Sequence, residues 1–283
     1  MAIPVVPKPE EAAGAPKGRP FARELVDAFL PNRVVSANVI RILIAGQIAI
    51  ALAVWINSPF KVLPRPGEVL TALQTLWFDE GLGRELGTSL GMNIEALGWT
   101  VLLSLALSYL TVLPAFRPLV LAVSKGRFLG LIGLTFVFTL MVGGGRPLKV
   151  SLLVFGMTVF FVTSMASVVA EIPKEKFDHA RTLRMSEGKV VWEVVILGTA
   201  DQAFEVLRQN AAIGWMMLTM VEGISRSEGG IGALLLNQNK HFHLAEVFAI
   251  QFFILFVGLV QDYAIGFLKS LFCPYAALTL ERR

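Results

Sequence analysis

Residues able to do covalent or metal chemistry are present in this chain of 283 residues, but they are scattered. His241 and His243 stand two apart and His179 lies far upstream, so the three histidines make no ligand set. Cys273 is the single cysteine, which excludes an intrachain disulfide and a cysteine-cluster metal site. There is no His-Glu-x-x-His pair, Gly-x-Ser-x-Gly elbow, Rossmann glycine fingerprint or Walker-type loop. The run Gly143 to Gly145 lacks a following Lys-Ser/Thr, so it reads as a turn and not as a phosphate cradle. The chain is therefore expected to be non-catalytic, with no metal and no cofactor of its own.

The polar residues that stand out do so because their surroundings are apolar. Glu95, with Asn93 close in sequence, lies inside a long hydrophobic run, and an ionised carboxylate near mid-bilayer costs a few kcal/mol or more. Glu95 is expected to face other helices or a wet cavity, either as a pathway or gate residue or as a packing contact. An anionic solute would be repelled by it. Thr158, Thr163, Asn210, Trp215 and Thr219 are further pathway candidates, although Ser and Thr are equally common at helix–helix contacts in membranes. Glu205 and Arg208 are three apart and can pair on one helix face. Glu222 is expected to begin an outward-facing loop, where it is a candidate contact for a soluble partner.

The elements that must position these residues follow from composition. The mean hydropathy is +0.66, 55% of residues are hydrophobic and only 16% are charged, against about 25% charged in a soluble domain. Several apolar runs approach 20 residues, the length a helix needs to cross a bilayer. Backbone groups in lipid must be satisfied internally, so an all-α integral membrane protein is expected. The spans fall at about 39–56, 89–113, 119–142, 149–169, 203–220 and 244–268, within a membrane domain 39–283. Residues 1–38, rich in Pro, Ala and Gly, read as a flexible tail. Within the tail, 21–30 suits a short amphipathic helix at the membrane surface. No signal peptide is evident. Pro64 and Pro66 break structure, and 67–77 suits an interfacial helix. Six spans put both termini on one side. Placing them in the cytoplasm puts most of the 25 Lys and Arg residues inside, as the positive-inside rule requires. The net charge of +4 is topology information, not a sign of nucleic-acid binding.

One long polar stretch, 172–198, lies between apolar segments. It reads as two short helices, about Phe177–Met185 and Glu187–Leu197, the second with Val190, Val191, Val194 and Val195 at helical spacing. Such a charged pair suits a transport protein that takes force from a soluble motor. The stretch resembles the EAA-type coupling loop of ABC-transporter permeases, with Asp178-His179-Ala180 where Glu-Ala-Ala is usual. Ala180 to Leu183, Ser186 and Val194 to Ile196 resemble the nitrate/sulfonate/taurine-type importer permeases in particular. There are two departures: the usual glycine falls on Arg184, and the usual proline on Leu197. The segments Leu63-Pro64-Arg65-Pro66 with Val69, Val221 to Ile224 with Gly229 to Leu234, and Asp262 with Pro274-Tyr275 extend the resemblance over roughly 60–278.

The resemblance implies a type I ABC importer permease fold of six transmembrane helices with cytoplasmic coupling helices. It implies the bacterial inner membrane. Its implied partners are ABC ATPase subunits that bind ATP and Mg, a periplasmic or lipid-anchored substrate-binding protein, and a second permease copy. Asp178, His179, Ala180, Arg181, Thr182, Leu183, Arg184 and Ser186 are then the candidate contacts with the ATPase, and Glu222 the candidate contact with the binding protein. The implied cargo is a small anion or sulfonate such as nitrate, taurine or an alkanesulfonate, in a class with bicarbonate and pyrimidine relatives. The alternative is a self-sufficient secondary transporter or channel, which would carry inverted repeats.

Overall fold

Helices account for all regular structure among the described residues. The computed structural model describes residues 24–25, 27–30, 35–60, 62–225 and 228–274. Most of the N-terminal tail, four residues of the expected 21–30 surface helix, Tyr275 and the C-terminus lie outside the described residues. Contacts divide the chain into two units, Met1–Gly67 and Glu68–Arg283.

The first unit carries α1 (Ala37–Ile56), an apolar helix of 20 residues. Beyond it, Trp55 Nε1 donates to Pro64 O at 3.0 Å and holds the Pro-rich turn. Helix α2 (Pro66–Phe78) begins at that turn, and its residues Val69, Ala72 and Leu76 are buried.

In the second unit the long helices are α3 (Leu82–Leu110), α6 (Arg146–Ala170), α9 (Ala200–Ile224) and α11 (Leu244–Phe272). Helix α6 is the centre of packing. Half of its apolar window is buried, against 28% for α3 and 17% for α11. It buries Leu148, Leu152, Met157, Phe161 and Met165, a helical repeat on one face, and packs against α3 and α9. The crossing with α9 is reciprocal. A β-carbon at Gly156 would lie 2.8 Å from Met217 Sδ, and one at Gly214 would lie 2.8 Å from Met157 Sδ. Each helix thus offers a notch to the other's methionine.

Among the described residues four helices, α1, α3, α6 and α11, are long and apolar enough to cross a membrane. The third expected span is not one helix. It is broken into Pro114–Phe128, which includes α4 (Arg117–Lys125), and α5 (Leu131–Val142), bent by 116°. The extended backbone at Leu129 and Gly130 makes the corner. The fifth expected span is α9, a helix of 25 residues whose Gln202, Glu205, Arg208, Gln209 and Asn210 keep it out of the apolar set.

Candidate functional site

The stretch 172–199 folds as a hairpin. Helix α7 (Lys174–Thr182) is followed by α8 (Glu187–Val190). Ala180 is buried, while Asp178, His179, Arg181, Thr182, Leu183, Arg184 and Ser186 are exposed. Helix α7 ends in a Schellman turn: Met185 N–H donates to Ala180 O at 3.3 Å and Arg184 N–H to Arg181 O at 2.9 Å. This turn needs a left-handed residue at the position after the helix cap, and Arg184 supplies it at φ 55°. The glycine usual at this place has its physical reason there, and this chain meets the same geometry with an arginine. Arg181 joins the two helices. Its guanidinium lies 3.6 Å from Asp178 and 3.3 Å from Glu187. Thr182 Oγ1 donates to His179 O at 2.6 Å.

The second helix differs from the single run expected over 187–197. After Val190 the backbone widens into a π-helical turn over Val191–Ile196, then tightens to a 3-10 turn over Leu197–Thr199. Leu197 N–H donates to Trp192 O, a bond that a proline at 197 would delete. Val190 and Val195 are buried and Val191 and Val194 half-buried, so the valine stripe faces the protein. Leu183, Trp192 and Leu197 remain exposed as an apolar fringe among charges.

The pathway candidates separate into three environments. Asn93 and Trp215 meet through Gln261 of α11, which accepts from Trp215 Nε1 at 2.6 Å and donates to Asn93 Oδ1 at 3.4 Å. Asn210 is buried against the α6 backbone, and Thr158 is buried beside it on α6. Thr163 and Thr219 turn their hydroxyls onto their own helices, at Val159 O (2.7 Å) and Met216 O (2.9 Å), as packing residues do. Glu95 is not beside Asn93. Two residues along a helix turn through about 200°, so Asn93 is buried while Glu95 projects from the opposite face to Arg146. Glu205 and Arg208 pair on one helix face at 3.8 Å, and each has a closer partner: Arg208 binds Asp262 at 2.6 Å and Lys269 binds Glu205 at 3.2 Å.

Glu222 is the largest correction. It is fully buried, not a loop carboxylate. It accepts from Ser89 Oγ at 2.6 Å and from Gly232 N–H at 2.8 Å. Ser89 Oγ accepts Ile231 N–H at 2.8 Å, and Glu85 accepts Gly230 N–H. Three successive N–H groups at the start of α10 (Ile231–Lys240) therefore end on three side chains, two of them carboxylates suited to a helix N-terminus. The buried Lys149 donates to Gly229 O at 2.9 Å and supplies the cation beside them. Glu85, Ser89, Lys149 and Gln261 were not singled out from the sequence. The available signals were a lysine inside the apolar α6 and a Glu-x-x-x-Ser step on α3. Among the described residues no group of three or more His, Cys, Asp and Glu stands ready for a metal.

Among the described residues the chain is all-helical, with four helices long and apolar enough to cross a membrane and an exposed charged hairpin that leads into α9. No family model matches the chain. It is similar to the bicarbonate transport system permease protein CmpB of Synechocystis sp., at 25% identity over 123 residues, 41% of this chain and 44% of that protein. It is also similar to the protein of the same name from Synechococcus elongatus, at 25% over 118 residues, 39% and 42% of the two chains. The matches span less than half the length of these relatives. Among solved structures it is similar to an inward-facing form of the MetNI methionine ABC transporter. The TM-score is 0.49 and the identity 16%, over 70% of this chain and 96% of that one.

Proposed function

We propose that this chain is the membrane-spanning permease subunit of an ATP-driven ABC importer. The observation that carries the reading is the 172–199 hairpin, whose exposed Asp178 to Ser186 face and apolar fringe are available to a soluble partner while its valine stripe is seated on the protein. The similarity to curated transport permeases supports the same reading. In it, two ATPase subunits bind ATP and Mg, dock the hairpin from the cytoplasm, and close on nucleotide. The hairpin leads directly into α9, so docking biases the helices between inward- and outward-open states, a population shift set by differential binding. A second permease copy completes the pathway and an external binding protein delivers the cargo. The membrane is the bacterial inner membrane, with both termini in the cytoplasm. The cargo is a small anion, and the bicarbonate-system relatives favour an oxyanion over other small solutes.

The test is affinity purification of the full chain from native membranes in mild detergent, with mass spectrometry and an ATPase assay. A stoichiometric ATPase subunit, lost when 178–186 is altered, is the expected result. A chain that purifies alone and moves solute in liposomes without ATP would overturn the reading in favour of a secondary transporter.

A further inference from the structure

Glu95 and Arg146 meet at the wall of an open groove of about 410 Å³ between α3 and α6. Arg146 begins α6, so the pair lies at the end of that helix away from the hairpin. The groove is lined by Trp99, Leu103, Val150 and Val154 besides the pair. The side chains of Arg146 and Glu95 are 49% and 41% exposed. An ion pair this open on helices of bilayer length is costly against lipid, which favours a groove that meets water.

The geometry of the pair is one-sided. Arg146 Nε and Nη2 both donate to the same oxygen, Glu95 Oε2, at 3.2 and 2.6 Å. The parallel fork that guanidinium makes with two oxygens is the stronger arrangement. A small oxyanion entering the groove offers that fork two oxygens and meets no hydroxyl competitor. The Ser151 hydroxyl is turned away, onto Pro147 O at 2.5 Å. The Trp99 face, 53% exposed, is a flat apolar wall for the rest of the solute.

We infer that Arg146 is a specificity-determining anion receptor at the mouth of the pathway, and that Glu95 is its resident counter-ion, displaced when a small oxyanion binds. The inference rests on the permease reading and deepens it. Glu95, which alone would repel an anion, neutralises the receptor while the site is empty. Displacement requires the anion to outcompete a tethered carboxylate, so the receptor discriminates against monatomic anions such as chloride, which offer the fork no pair of oxygens.

The test is uptake of labelled nitrate, bicarbonate and taurine by cells that lack the native chain and carry each variant, with co-purification of the ATPase measured in parallel. Arg146→Gln is expected to raise KM for the transported anion at least tenfold, with Arg146→Lys between it and the native chain. Glu95→Gln is expected to lower KM several-fold, because the competitor is gone. The exchange E95R with R146E is expected to leave uptake impaired. An unchanged KM in Arg146→Gln, or recovery by the exchange, would overturn the inference and make the pair a structural contact. So would a native chain that moves none of the three solutes while still binding its ATPase, an outcome that leaves the permease reading standing. Loss of the ATPase from the native complex would instead bring down the permease reading.

Discussion

Ser89 donates a 2.6 Å hydrogen bond to Glu222 and at the same time accepts the N–H of Ile231, tying α3, α9 and the start of α10 at one atom. Removing the Glu222 carboxylate leaves the Gly232 N–H and the Ser89 hydroxyl without their acceptor in a buried site, at about 1–3 kcal/mol for each unsatisfied group. Glu222→Ala is therefore expected to release the start of α10, and Glu222→Gln to release it less. Amide hydrogen exchange at 230–232 in detergent reads this directly. Native protection in Glu222→Ala would show that the clamp does not hold the helix.

Two glycines on this side of the protein respond differently to the same change. A β-carbon at Gly232 would press on the Thr219 backbone, with Cα at 2.6 Å, whereas one at Gly156 meets the movable end of Met217. Methionine repacks readily and backbone does not. Gly232→Ala is expected to lower the thermal midpoint markedly, at a cost of about 1–3 kcal/mol, and Gly156→Ala to lower it by less. Equal shifts for the two would contradict the close approach at Thr219.

Arg181 is more than half exposed, and exposed ion pairs contribute only about 0–1 kcal/mol. Arg181→Glu should therefore leave the fold intact while setting a third carboxylate between Asp178 and Glu187. The hairpin then opens where the ATPase is proposed to dock. ATP hydrolysis is expected to continue with transport per ATP sharply reduced, read as uptake against phosphate release. Native stoichiometry in this variant would remove Arg181 from the coupling contact.

Arg184 bears the left-handed backbone of the Schellman turn, a conformation that costs a non-glycine residue about 1–2 kcal/mol. Glycine gives back part of that through its freer unfolded chain. Arg184→Gly is expected to stabilise by up to about 1 kcal/mol and raise the thermal midpoint slightly. A lower midpoint would mean that the arginine side chain contributes more than its backbone costs.

The helices of the membrane region were legible where hydropathy and periodicity coincide. The runs read as 149–169, 203–220 and 244–268 lie within α6, α9 and α11. Hydropathy marks only the apolar part of a helix, so it missed that α3 starts at Leu82, ahead of Ser89, through the polar Arg84, Glu85 and Thr88. It also ran through the corner at Leu129 and Gly130, because a sharp bend does not lower the mean. The 172–199 hairpin was legible as two short helices, yet the backbone role of Arg184 needed its φ angle. The burial of Glu222 was hidden because its partner Ser89 lies 133 residues away. No local pattern in the chain announces a contact of that range.

The reciprocal crossing of Gly156 with Met217 and Gly214 with Met157 fixes a fulcrum. Sliding α9 along α6 would pull both sulfur atoms from their notches at once, whereas tilting α9 about the crossing moves neither far. The hairpin enters α9 at Ala200, about 21 Å from Gly214 at 1.5 Å per residue, and Glu222 lies about 12 Å beyond it. A tilt about this point therefore carries the Ala200 end and the Glu222 end in opposite directions, with the stroke at Glu222 a little over half as long. The clamp at α10 sits on the short arm of that lever.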